Sequence, residues 1–460
     1  MKRCRFVSAG IALLLGFLPS AFAQPTVQQI LRNGPNDKRI NIVFLSEGYT
    51  AAQLGQFLDD AGTILNHLLG TAPFNEYPGY YNAFAISVAS PESGSDHPSQ
   101  NVFRNTYFNS VYESFGISQL VTIPPNDRDS NPAHGSGKVD LLLQDLMPEY
   151  DISIVLVNDP VYGGSGGRPL ITSVHSSSSE IALHELGHSF AGLGDEYSSP
   201  YPGYPAAEEP NTTRQTNRDL IKWRSWIGDT TPVPTPSTFP DKQAVGLFEG
   251  AHYYRTGWYR PKANCRMRAL GVPFCEVCAE ALMKSTYALV RPIESFSPPM
   301  EDPIPLLDNQ SVILEIVPMK PSNHDLLIQW STNGVAVAGA VSSSFTLSGS
   351  ALASGMIEVK VEVADGTDWV RTDPSGLLKE SKSWLVSALR SPPLSMARAG
   401  GEVVLSWPTT ATDYFLESTE DLNVPVVWAQ VNEVPAVVEN QLTVTNTVTG
   451  AKKFYRLRRP

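Results

Sequence analysis

Asp151-Ile152-Ser153-Ile154-Val155-Leu156-Val157 is apolar at nearly every position, and no other run constrains the fold more. An alternating strand needs cover on one face only. A strand without alternation needs cover on both, which places it inside a sheet with helices above and below. The neighbouring sequence suits that frame. Arg39 to Leu45 reads as a strand ending at Gly48, Ala83 to Val88 as a second, and Leu170 to Val174 as a fourth. Thr50 with Gln53 forms a capping box, and Leu54, Phe57, Leu58, Ala61, Leu65 and Leu68 recur at helical spacing. A long helix is expected from about Ser178. Tyr162 to Gly167 reads as a flexible turn, and Ser90 to Ser136, dense in Ser, Asn, Asp and Pro, as long surface loops. Residues 24–294 are therefore expected to form one α/β domain.

After Ile293 the texture changes. Ser295-Phe296-Ser297-Pro298-Pro299 reads as a linker, followed by short alternating runs such as Val312 to Val317, Leu327 to Trp330 and Ile357 to Val363. Turn residues separate them, which predicts an immunoglobulin-like β-sandwich over 300–390. Ser391-Pro392-Pro393 opens a smaller β module over 391–460, with five short strands from Val403 to Leu457. Neither module holds a His/Cys/acid cluster, so both read as spacer or attachment modules. Carbohydrate or cell-surface contact through an exposed Trp is the other reading.

The N-terminus bears on location. Lys2, Arg3 and Arg5 precede the short apolar run Ile11 to Leu18, and Ala21-Phe22-Ala23 offers small residues for cleavage before Gln24. This is the pattern of a secretory signal peptide over 1–23, predicting a secreted, extracellular or periplasmic product. No later segment is long and apolar enough to suggest a membrane span. The 460-residue chain has a net charge of −12 and no basic block, which argues against a nucleic-acid partner.

The chemistry lies in Ser179 to Tyr197. Ser177 with Glu180 can cap a helix, on which His184 and His188, four apart, share one face. That spacing lets both imidazoles reach one Zn²⁺, with Glu185 placed to deprotonate a metal-activated water. Gly192 and Gly194 can end the helix with positive φ and bring an acid back towards the histidines. Asp195 is the expected third ligand and Glu196 the alternative. Helix, glycine break and ligand is the arrangement of metzincin-type zinc peptidases. The chain departs from it at Gly194, which occupies the usual third-ligand position, one residue before Asp195. Met267 is the candidate for a hydrophobic floor beneath the imidazoles. Cys265, Cys275 and Cys278 suggest a disulfide from Cys265 to Cys275 or Cys278, or a small metal site. In the aromatic run from Glu249 to Pro261, Tyr259 is a candidate oxyanion donor, although core packing is the commoner role.

Arg39 to Leu45 with Gly48-Tyr49-Thr50, the motif from His184 to Tyr197, and the Cys265-Met267-Cys275-Cys278 cluster together resemble the IgA-peptidase-like family of secreted bacterial zinc metallopeptidases. The resemblance covers about residues 33–290. It implies a metzincin-like catalytic domain, Zn²⁺ as cofactor, and endopeptidase activity on a protein or peptide substrate. In that reading Leu170 to Val174 offers a sheet edge for an extended peptide. The rival is a non-catalytic adhesion or glycan-binding protein with a structural metal, which would fill all four metal positions with protein ligands.

Overall fold

A computed structural model describes residues 24–124, 135–201, 203–300, 302–353, 355–447 and 452–459. The signal peptide expected at 1–23 lies outside these residues, as do 125–134 of the expected loop. The chain divides into two compact units. The first runs to Ser295 and also takes in Val317–Leu327 and Val363–Glu380; the second holds the rest.

The first unit is built on β1 (Thr26–Leu31), β2 (Ile40–Glu47), α1 (Leu54–Gly70), β3 (Tyr81–Ser87), α2 (Gly135–Leu146), β4 (Ile152–Val157), β5 (Gly164–Ser165), β6 (Leu170–Ser173) and α3 (Ser178–Ala191). A hairpin of β7 (Phe248–Ala251) and β8 (Tyr254–Arg260) and a helix α4 (Glu276–Leu289) follow. Six strands form one sheet in the order β1-β3-β2-β4-β6-β5. Its centre is parallel, while β1 and β5 run antiparallel to their neighbours at the two edges. Every residue of β2, β3, β4 and β6 is buried.

The alternation inside β2 explains its apolar run. Ile40, Ile42 and Phe44 pack with α1, α3 and α4, whereas Val43 and Leu45 pack with α2 on the other face. The capping box of Thr50 and Gln53 forms and opens a short 3-10 turn ahead of α1.

Three local expectations are corrected. The stretch after Ser90 is not simply surface loop: Phe108, Tyr112 and Val121 are core residues. Buried Glu47, at the end of β2, holds it by accepting from Thr106 Oγ1 at 2.5 Å and from the N–H groups of Phe108 and Ser110 at 2.8 Å each. Tyr162 to Gly167 is not a free turn, because Gly164–Ser165 add to the sheet. That strand displaces β6 from the edge, and β5 is itself bridged at Gly164 to Leu120.

Lying mainly in the second unit, five strands line up as Ile304–Leu307, Lys379–Leu389, Gly355–Ala364, Leu327–Thr332 and Val335–Ala336. Nearer the C-terminus stand a four-stranded and a three-stranded sheet. Trp330, Trp384 and Trp407 are fully buried, and half-buried Trp428 lies under the Arg456 guanidinium at 4.3 Å. Three of these four tryptophans are thus spent on packing, and nothing about the fourth marks a sugar contact.

Candidate metal centre and active-site cleft

α3 follows β6 directly and is clamped at both ends. Ser177 makes no side-chain cap. The expected partner, Glu180, instead accepts from Arg266 Nη1 at 2.7 Å and the Gly271 N–H at 2.8 Å, and meets His67 Nε2 at 2.8 Å. Burial alone would push the Glu180 carboxyl up, but these three partners outweigh it and hold the group below its ordinary value. At the other end Gly192 takes φ 61° and donates to the His188 carbonyl at 3.0 Å. Gly194 has another role, since its φ is not positive. A Cβ there would stand 2.5 Å from Glu209 Oε2, so the requirement is space.

This turn orients the histidines. His188 Nδ1 lies 2.6 Å from the Leu193 carbonyl, and His184 Nδ1 lies 3.0 Å from that of Arg266. A carbonyl only accepts, so each Nδ1 carries its proton, and in the neutral ring each Nε2 presents a lone pair. The two Nε2 atoms are 3.2 Å apart, and Asp195 Oδ1 sits 3.1 Å from one and 3.4 Å from the other. Asp195 Oδ1 is buried and receives no hydrogen bond. Its sister oxygen accepts from Tyr253 Oη at 2.5 Å. Adjacent acceptors converging on one point repel unless a cation lies between them. Tetrahedral bonds of about 2.0–2.1 Å place neighbouring ligand atoms about 3.3 Å apart, so the spacing here suits Zn²⁺. The electrostatics favour positive charge at this point, so without an ion a proton on His188 takes the place that a cation would fill. Burial opposes charge on His188, yet Asp195 and Glu185 raise it to about 9. Burial would push Asp195 up, but the two histidines hold it well below the usual carboxylate range.

Glu185 lies beside this cluster without joining it. Burial pushes its carboxyl up, against the pull of His184 and His188. A Cβ on Gly166 would come within 3.1 Å of Glu185 Oε2, so bare backbone passes the carboxylate closely. All four side chains line a cleft of about 570 Å³, with Gly164, Ser165 and Gly166 along one side and Tyr162, Tyr197 and Tyr253 around it.

Glu196, the alternative ligand, points elsewhere: its side chain is fully buried beside Cys265, Cys275 and Cys278. Met267 packs against α3 at Gly187, between the two histidines in sequence. Its Sδ would be 2.6 Å from a Cβ on Gly187, and its carbonyl accepts from the Glu196 N–H at 2.8 Å. Tyr259 does not line the cleft; Tyr253 does. His252 and Tyr253 both adopt positive φ, 54° and 60°, at the tip of the β7–β8 hairpin. Sequence reasoning missed this turn because neither residue is the Gly or Asn that usually announces one. It also missed Gly187, although a glycine inside the His-Glu-Leu-Gly-His motif is a readable sign of something packed tightly against the helix.

The sequence model of the IgA Peptidase M64 family matches residues 28–243 and 237–286. The chain belongs to this family. The matched region holds the whole constellation just described, from α1 through the Cys265–Met267 turn to most of α4. No curated protein matches the chain. Membership of the M64 family makes the chain a peptidase, and its substrate class protein or peptide.

Proposed function

We propose that this M64 family member is a secreted zinc endopeptidase of metzincin-like design, with His184, His188 and Asp195 as metal ligands and Glu185 as general base. The observation that carries the reading is the convergence of two imidazole lone pairs and an unpaired carboxylate oxygen on one point of the cleft wall, with a second carboxylate alongside. A divalent ion held there would supply Lewis-acid polarisation of a scissile carbonyl and activation of a water.

The chain's own residues do the remaining work. Glu185 takes a proton from the attacking water on a carboxylate oxygen and returns it to the leaving amine. Tyr253 is a positioning residue: its hydroxyl occupies Asp195 Oδ2 and leaves Oδ1 facing the imidazoles. The Gly164–Gly166 backbone, rather than β6, is the segment against which an extended peptide would lie. Residues 1–23 act as the signal peptide in this proposal, and the modules over 300–390 and 391–460, apart from the segments that belong to the first unit, as spacers or attachments.

A structural metal would be enclosed by four protein donors. Among the described residues three converge here, on a cleft wall, which favours the hydrolytic reading over a non-catalytic one. The test is hydrolysis of casein by the full chain before and after chelation, with bound metal measured in the same samples. Cleavage is expected to disappear with the ion and return on adding zinc. Cleavage that survives complete metal removal contradicts the proposal.

A further inference from the structure

We propose a second, closed metal site of zinc class, formed by Cys265, Cys275, Cys278 and Glu196, whose role is to position the Asp195 turn. This inference does not depend on the hydrolytic reading.

The four residues are buried, and one ligand atom from each lies within 4.8 Å of all the others. They come from three segments of the chain. Glu196 follows the end of α3. Cys265 lies in the turn that carries Met267. Cys275 is the residue before α4, and Cys278 stands in its first turn. A Cys-x-x-Cys pair at a helix start brings two sulfurs to one side, where helix N–H groups favour thiolates.

The spacing decides between the ways of using such a cluster. Cys265 Sγ and Cys278 Sγ are 3.6 Å apart, and Cys278 Sγ is 3.7 Å from Glu196 Oε1. A disulfide needs about 2.05 Å, and it would leave one cysteine and a fully buried glutamate without a purpose. Tetrahedral bonds of about 2.3 Å to sulfur put neighbouring ligand atoms about 3.8 Å apart. The observed separations match that figure. Two further details point to a cation. Glu196 Oε2 is buried and has no hydrogen-bond partner. The Cys275 N–H donates to Cys265 Sγ at 3.2 Å, which treats that sulfur as an acceptor.

Charge is also accounted for. Three thiolates and a carboxylate around a dication carry two excess negative charges. The buried guanidinium groups of Arg260 and Arg266 lie within electrostatic reach of Glu196 and Cys265 respectively. On binding, the thiols release their protons to solvent, and no redox partner is needed.

An ion here would tie together three segments that shape the first site. Glu196 adjoins Asp195. The Cys265 turn supplies the Arg266 carbonyl that orients His184, and also Met267 beneath α3. α4 packs against α3 in the same core.

The experiment loads the full chain with cobalt(II) in place of zinc and records its near-ultraviolet spectrum beside a metal count. The His188→Ala variant, which damages only the first site, is measured in parallel. The expected result is two ions per chain in the wild type and an intense thiolate-to-cobalt charge-transfer band. In His188→Ala the count should fall to one while the band persists. The cysteines of zinc-loaded protein should resist alkylation until the protein is unfolded with chelator. Absence of the band in the cobalt-loaded wild type overturns the proposal, whether the cysteines are then found free or paired in a disulfide. Loss of the band in His188→Ala with an intact fold also overturns it. Failure of the hydrolytic reading alone would leave the band in place and remove only casein cleavage.

Discussion

At the scale of single residues, the first site is oriented by groups that never touch the metal position. Tyr253 holds Asp195 through one hydrogen bond, so Tyr253→Phe should weaken zinc affinity by about 10–100-fold while leaving the fold intact. Competition with a fluorescent chelator measures this directly, and unchanged affinity would remove Tyr253 from the account. Gly187 is under a steric constraint. An added methyl would press on Met267 Sδ at 2.6 Å and on Leu193 Cδ1 at 3.3 Å, both in the core. Gly187→Ala should therefore destabilise the chain by about 1–3 kcal/mol in denaturant unfolding. A neutral result would mean that Met267 can move aside. The histidine pair was legible because helical spacing is local: residues four apart share a face whatever surrounds them. Asp195, expected ahead of Glu196, is the carboxylate that meets the histidines, but the reason it turns inward was not legible. Asp195 and Glu196 point opposite ways because Glu196 is drawn to the cysteines and Asp195 to Tyr253, partners more than fifty residues away in sequence.

At the scale of elements, α3 is fixed less by its own caps than by what its ends grip. Glu180 ties the first turn to Arg266, Gly271 and His67. Its folded pKa lies below the ordinary 4.5. The stabilisation it adds is therefore full above that value and is lost as pH falls through the lower folded value. The stability difference between wild type and Glu180→Gln should accordingly be constant at neutral pH and shrink on acidification below about pH 4.5. A difference that grows under acid would reverse the sign and refute the assignment. The strands and helices that were legible are those whose own pattern determines burial. β2 and β4 are covered on both faces, and α1 shows a repeating apolar stripe. β1 was missed because Thr26–Leu31 is polar and largely exposed. α2 was missed because it opens on Gly135-Ser136-Gly137 and buries only a short stripe of Val139, Leu142 and Leu143. β5, two residues long, owes its existence to the strand beside it and has no pattern of its own.

At the scale of the whole molecule, the first unit is not made of one continuous stretch. Val317–Leu327 and Val363–Glu380 belong to it. Within the unit, buried Asp365 accepts from Tyr77 Oη at 2.8 Å and Tyr287 Oη at 2.5 Å, and meets His324 Nε2 at 2.7 Å. Tyr80 Oη donates to the Met319 carbonyl at 2.6 Å. A chain ending at Ser295 would take from Tyr77 its Asp365 partner and leave Tyr80 and Tyr287 bonded only to each other, at a cost of about 1–3 kcal/mol for each bond lost. Such a truncation should melt well below the full chain, and Asp365→Ala in the full chain should reproduce part of the loss. Equal melting temperatures for truncated and full chains would show that the later segments contribute nothing to the peptidase unit. The residues that line the cleft all fall within the matched family region, and none of them belongs to the later segments of the first unit.

The central claim is that Glu185 moves the proton while His184, His188 and Asp195 hold the ion. It is tested most directly by measuring zinc content and casein turnover together in Glu185→Gln. The substitution preserves size and leaves all three ligands in place, so metal content should match the wild type while turnover falls by about two to four orders of magnitude. Turnover equal to the wild type at equal metal content would contradict the account.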